Sequence, residues 1–124
     1  PGTLCMGSRS AADVALAMTA ADLHVHPSHY EGLPTVLVEA AFAKLPIVTT
    51  DAPGCIDMAR DGRAIMVPAK NPQALAAAIS DAIHGSEDVR QRAERMLAHV
   101  REYYSLEKNT AYLAGRYRQL AGQG

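Results

Sequence analysis

Residues 26–40 read His-Pro-Ser-His-Tyr-Glu-Gly-Leu-Pro-Thr-Val-Leu-Val-Glu-Ala, and this stretch commits the chain to a strand that turns sharply into a helix. An apolar run ends at His26, and Pro27, Gly32 and Pro34 interrupt any regular continuation. Proline is tolerated at the first helical position, where its missing N–H would have no intrahelical partner, so the helix is expected to begin near Pro34. From Val36 to Leu45 only Glu39 and Lys44 carry charge. A helix apolar nearly all round is expected to be buried. A buried carboxylate then needs a hydrogen-bonding partner. Lys44 is five positions from Glu39, outside the three- or four-residue spacing of neighbours on a helix face. Two readings stay open for Glu39: a structural pair with an arginine elsewhere, or a carboxylate aimed at the hydroxyls of a ligand.

The spacing favours the ligand. Glu31 precedes Glu39 by eight residues and belongs to the loop between strand and helix. That loop lies at the carboxyl end of a strand, where open α/β sheets bind ligands, and the helix after it offers free N–H groups to an anion. Two acids flanking such a helix start suit a ligand with hydroxyls at both ends and negative charge between. A nucleotide-sugar has that layout.

The run Pro27-Ser-His-Tyr-Glu-Gly-Leu-Pro-Thr-Val-Leu-Val-Glu-Ala, followed by Leu45-Pro-Ile-Val-Thr-Thr-Asp, resembles the E-x7-E region of family 4 glycosyltransferases. These are retaining, nucleotide-sugar-dependent enzymes with two Rossmann-like domains, the GT-B fold. The resemblance runs from about Cys5 to the C-terminus. It implies a donor-binding C-terminal domain truncated on its N-terminal side. By this similarity Glu31 is the catalytic residue and contacts the donor sugar, Ser28 and the backbone of Gly32, Leu33, Pro34 and Thr35 line the donor site around the diphosphate, and Glu39 holds the ribose diol. The family's retaining members generally use neither metal nor cofactor, so none is expected.

Two departures stand out. Lys44 occupies the place of the family's usual helix-ending glycine, where a lysine can complement the helix dipole. Asp57, in Pro53-Gly54-Cys55-Ile56-Asp57, is a shorter acid than the family's glutamate, so no role is carried over to it. The basic residues that such enzymes place over the diphosphate fall upstream, as does the acceptor-binding half.

The 124 residues suffice for one core. No apolar run approaches the roughly 18 to 20 residues of a membrane span. No signal peptide is visible at the N-terminus. The net charge of −1 and the scattered basic residues speak against a nucleic-acid surface. Cys5 and Cys55 have no metal or redox spacing, and reduced thiols in the cytoplasm are the expectation.

In chain order, strands are expected at Leu4–Met6, Asp22–His26, Pro46–Thr50 and Ala64–Val67. Alternation with helices indicates a Rossmann-like parallel sheet of about four strands. Ser10 with Asp13 makes a box-like helix start ahead of Val14, Ala17, Met18 and Ala21. A short helix is expected near Ile56 to Arg60. A helical C-terminal extension covers about residues 72–121. Its first helix starts at Asn71-Pro72 with Leu75, Ile79, Ala82 and Ile83 inward. Its second starts at Ser86, with Val89, Ala93, Met96, Leu97 and Val100 inward. Its third starts at Ser105 and carries Leu106, Thr110, Leu113, Tyr117 and Leu120 as a stripe that requires cover.

His24, His26 and His29 could form a zinc set, but no carboxylate or cysteine spacing completes it, and packing or solvation is expected. A glycosidase pair would set Glu31 and Glu39 across a scissile bond; a helix acid and a loop acid beside an anion site fit nucleotide binding better. The expected function is nucleotide-sugar binding for retaining glycosyl transfer, inactive in this chain alone. The alternative is a non-catalytic, self-associating nucleotide-binding module. A homodimer, or pairing with the missing acceptor-binding domain, is expected to cover the edge strand and the last helix.

Overall fold

The computed structural model describes residues 2–85 and 87–122. Three parallel strands, β1 (His24–His26), β2 (Ile47–Thr50) and β3 (Ile65–Val67), form a sheet in the order β1-β2-β3. The register pairs His24 with Ile47, His26 with Thr49 and Thr50 with Val67. Six helices surround it: α1 (Ala11–Ala20), α2 (Thr35–Phe42), α3 (Cys55–Ala59), α4 (Pro72–Ile83), α5 (Glu87–Tyr103) and α6 (Leu106–Ala121).

Strand β2 is buried at every position, as a central strand covered on both faces must be. Alternation sends Ile47 into a core with Leu37, Ala40, Ala41, Met58, Met96 and Val100 of α2, α3 and α5. Val48 faces the opposite way, onto Ala78 and Ala82 of α4 with Val67 of β3. Leu37 is fully buried, and its truncation to alanine would cost about 2–5 kcal/mol.

The expected helix starts at Ser10, Asn71 and Ser105 are formed. Ser10 and Asp13 complete a reciprocal capping box, Asn71 caps α4 with Pro72 behind it, and Ser105 accepts from the Lys108 amide. The start expected at Ser86 lies outside the described residues. All five residues expected on the inner face of α5 are buried.

Three expectations need correction. Leu4–Met6 forms no strand; Leu4 is 80% exposed, and an apolar triplet without a paired neighbour gains neither ladder bonds nor burial. β1 is an edge of the sheet, as expected. In α1 only Met18 is buried and Val14 half-buried, while Ala17 and Ala21 are exposed. In α4 Ile83 is exposed and Ala78 takes an inward place. The stripe on α6 is left without cover, as expected: Leu106 is 82% and Tyr117 70% exposed, and no residue of that helix is buried.

Helix α2 ends in a Schellman motif. The Leu45 amide donates to the Ala40 carbonyl and the Lys44 amide to that of Ala41, each at 3.0 Å. Leu45 and Ala40 pack in the same core, the apolar contact that accompanies this cap. Lys44 takes the left-handed position, with φ of 58°.

Candidate functional site

The loop from Pro27 to Pro34 lies beyond the carboxyl end of β1, and β2 holds it from beside. The Thr49 hydroxyl donates to the His26 carbonyl at 3.2 Å, and the Thr50 hydroxyl donates to the Ser28 carbonyl. The turn before α3 supports the loop from the other side, where the Glu31 amide donates to the Pro53 carbonyl at 3.3 Å. Gly54 has φ of 84°, and an added Cβ there would sit 2.5 Å from the carbonyl oxygens of both Glu31 and Gly32. Only glycine allows this approach.

Glu31 has one carboxylate oxygen turned inward. Its Oε1 accepts from the Ser28 hydroxyl at 3.1 Å and lies 3.3 Å from His26 Nε2. Among the described residues Oε2 has no hydrogen-bond partner, and the side chain is 34% exposed. The Ser28 hydroxyl also approaches the Tyr30 carbonyl at 3.1 Å. Behind His26 stands His24, the two rings nearly parallel at 6.1 Å. Burial lowers the His24 pKa, and the adjacent His26 adds to that shift. Below the loop, burial pushes the Cys55 thiol up; the charge of Glu31 pushes the same way, against a hydrogen bond from Thr49.

Gly32, Leu33 and Thr35 are exposed around the start of α2, whereas Pro34 is buried at its N-cap. The helix thus begins one residue later than expected, at Thr35, and no side chain caps it. Gly32 is instructive. Its φ is not in the left-handed region, and a Cβ there would meet nothing within 4 Å. The fold does not require glycine at this place; the space above it is open to a ligand.

Glu39 departs from expectation: it is exposed, and it has no ion pair among the described residues. Helix α2 buries Leu37, Ala40 and Ala41, which leaves Thr35, Glu39 and Phe42 on the opposite face at spacings of four and three. Val36 and Val38 sit half-buried at the margins of that face. Glu39 instead borders a groove of about 740 Å³ between α1 and α2, with Arg9, Val14, Met18 and Phe42 among its walls. The structure therefore places Glu31, Ser28 and Gly32 together on the loop and sets Glu39 apart, a turn into α2.

Sequence reasoning missed the two threonines of β2, whose signal was their position at the end of a buried strand. It also missed Arg63, which is buried and donates to the Met58 carbonyl at 2.7 Å and to that of Asp57 at 2.6 Å. This guanidinium closes the carboxyl end of α3. Asp57 itself is exposed and pairs with Arg60 at 3.5 Å. Among the described residues no three His, Cys, Asp or Glu side chains are grouped as metal ligands, and no helix is long and apolar enough to cross a membrane.

The sequence pattern of the family described as "Glycosyl transferases group 1" matches residues 3–98. TuaC of Bacillus subtilis, whose name assigns it to teichuronic acid biosynthesis as a glycosyltransferase, is 32% identical over 101 residues. That match covers 82% of this chain but 26% of TuaC, so the chain spans about a quarter of its relative's length. Sucrose-phosphate synthase from Thermosynechococcus elongatus superimposes with a TM-score of 0.80 at 24% identity, over 90% of this chain and 28% of that one. Anabaena HepE, solved in complex with UDP and glucose, gives 0.82 at 23% identity, over 92% of this chain and 31% of its own. These likenesses show the fold: a Rossmann-like parallel sheet with flanking helices and a helical C-terminus, as in GT-B enzymes. With the family's pattern running through most of its length, the chain belongs to the group 1 glycosyltransferases.

Proposed function

We propose that this chain supplies the donor-binding part of a retaining glycosyltransferase, with a nucleoside diphosphate sugar as its ligand. The observation that carries the reading is Glu31: a carboxylate anchored through Oε1, with Oε2 free, beside the uncapped start of α2. In this reading Oε2 accepts from a sugar hydroxyl. The backbone from Gly32 to Thr35 faces the diphosphate, where N–H groups and the helix dipole favour negative charge. Glu39 accepts from the ribose diol, and the groove beside it receives the base. HepE has been solved with UDP and with UDP-glucose, which suits a donor of this class.

During transfer the bond from the anomeric carbon to the diphosphate breaks, a bond to an acceptor oxygen forms on the same face, and the acceptor hydroxyl's proton passes to the departing diphosphate. Charge builds on the departing diphosphate, where helix N–H groups stabilise it. Glu31 orients the sugar, and no metal or cofactor is required. Acceptor positioning and water exclusion come from a facing domain, so these 124 residues alone bind donor without transferring it.

Calorimetric titration with UDP-glucose and GDP-mannose tests the reading against Glu31→Ala. Binding that weakens in the variant supports it; equal binding, or none by the unsubstituted chain, overturns it. A second reading, self-association as a homodimer, draws on the bare stripe of α6 and the unpaired edge of β1. Light scattering checks it: a monomer mass at micromolar concentration refutes the dimer, and Leu113→Asp dissociates a dimer built on α6.

A further inference from the structure

Among the described residues, half-buried His24 and His26 have Nε2 atoms sealed from solvent without a hydrogen-bond partner. Leaving such a nitrogen unpaired is costly, and an aliphatic side chain would fill the place without that cost. The polar atom that Nε2 approaches is Glu31 Oε1, at 3.3 Å but outside hydrogen-bond alignment. A small rotation of the carboxylate would align the pair. The His26 side chain is 16% exposed, so a ligand cannot reach Nε2 as readily as it reaches Glu31.

The surroundings leave the imidazole little freedom. Its backbone is held in the ladder opposite Thr49, whose hydroxyl also binds the His26 carbonyl. The His24 ring stacks beside it on the same strand. Glu31 is equally constrained, through its amide on the Pro53 carbonyl and through Ser28 on Oε1. A rigid imidazole thus stands against the inner oxygen of a carboxylate whose outer oxygen is free.

We propose that His26 is a positioning residue for the donor sugar: its Nε2–H holds Glu31 Oε1 so that Oε2 is presented to a sugar hydroxyl. This rests on the reading of Glu31 as the sugar contact. The effect belongs to the sugar half of the donor, because the carboxylate that the His26 ring approaches is that of Glu31.

The test compares UDP-glucose with UDP by calorimetry on the full chain. His26→Leu lowers the ratio of the two affinities, UDP-glucose over UDP, by about three- to tenfold. His26→Gln, whose side-chain amide reaches the place of Nε2, restores most of it. Glu31→Gln lowers the ratio as well, and adding His26→Leu to it lowers the ratio no further. If Glu31→Gln shifts the ratio and His26→Leu does not, His26 is not a positioning residue while the donor reading stands. If Glu31→Gln leaves the ratio unchanged, or neither ligand binds, the donor reading falls and the inference with it. Should His26→Leu fail to fold, the imidazole nitrogen resonances decide without it: the Nε2 signal of His26 moves in Glu31→Gln, and a signal that stays in place overturns the contact.

Discussion

Gly54 lies so close beneath Glu31 that a Cβ added to it would meet the Glu31 carbonyl oxygen at 2.5 Å. The turn before α3 and the loop before α2 are therefore packed backbone against backbone, and neither can shift alone. Gly54→Ala adds strain at a φ of 84° to this clash. The expected loss is about 2–4 kcal/mol, read as a lowered urea midpoint, together with weaker donor binding. An unchanged midpoint would show that the two turns do not meet.

Gly32→Ala is expected to behave in the opposite way. Its backbone is not left-handed and a Cβ there meets no protein atom, so stability is unchanged or rises by up to about 1 kcal/mol through a less flexible unfolded chain. Affinity for UDP-glucose falls at least about tenfold if the diphosphate approaches this backbone. Thermal unfolding and calorimetry on the same sample separate the two effects.

Glu39→Gln should leave stability within about 0.5 kcal/mol, since the side chain is exposed and unpaired among the described residues. If Glu39 holds the ribose, nucleotide affinity drops by about 1.5–3 kcal/mol, the range for charged hydrogen bonds. UDP and UDP-glucose should suffer equally, unlike the effect of Glu31→Gln. Unchanged UDP binding would remove Glu39 from the site.

Lys44→Gly should stabilise the protein. Lys44 sits at φ of 58° in the Schellman cap of α2, a conformation that disfavours a side chain by about 1–2 kcal/mol. Glycine relieves that strain and gives part of it back as chain entropy, so a gain of about 0.5–1 kcal/mol in urea unfolding is expected.

Acid should destabilise the fold. The His24 pKa is lowered by burial and then by His26. That of His99 is lowered by burial and then by Arg63. In both cases the unfolded chain binds protons more readily than the folded one, so stability is complete above about pH 6.5, the ordinary imidazole value. It is lost as pH falls through the lower folded values. Melting temperatures between pH 8 and pH 5 follow this, and His24→Leu makes the decline shallower.

The alternation of strands and helices was legible because it rests on local patterns: caps at Ser10, Asn71 and Ser105, β-branched residues in β2, and a clean inner face on α5. Leu4–Met6 was misread because apolar character in three residues does not supply a pairing partner. Glu39 was misread because α2 is only eight residues long, too short for apolar content alone to tell a helix buried all round from one packed by a single face. The loop residues Ser28, Glu31 and Gly32 were named from the sequence. Their anchors, the hydroxyls of Thr49 and Thr50, depend on register between strands about twenty residues apart, which local pattern does not carry.

Helix α6 has sixteen residues, a serine cap and no buried side chain. Helices of that length are marginal in water without a packed face. Its amide protons should therefore exchange with solvent by local opening, at a free-energy cost far below that of β2 and α5, whose exchange demands global unfolding. The chain accordingly holds two cooperative units of unequal durability: a sheet core that melts as one, and a terminal segment whose helical population is set by whatever surface it meets.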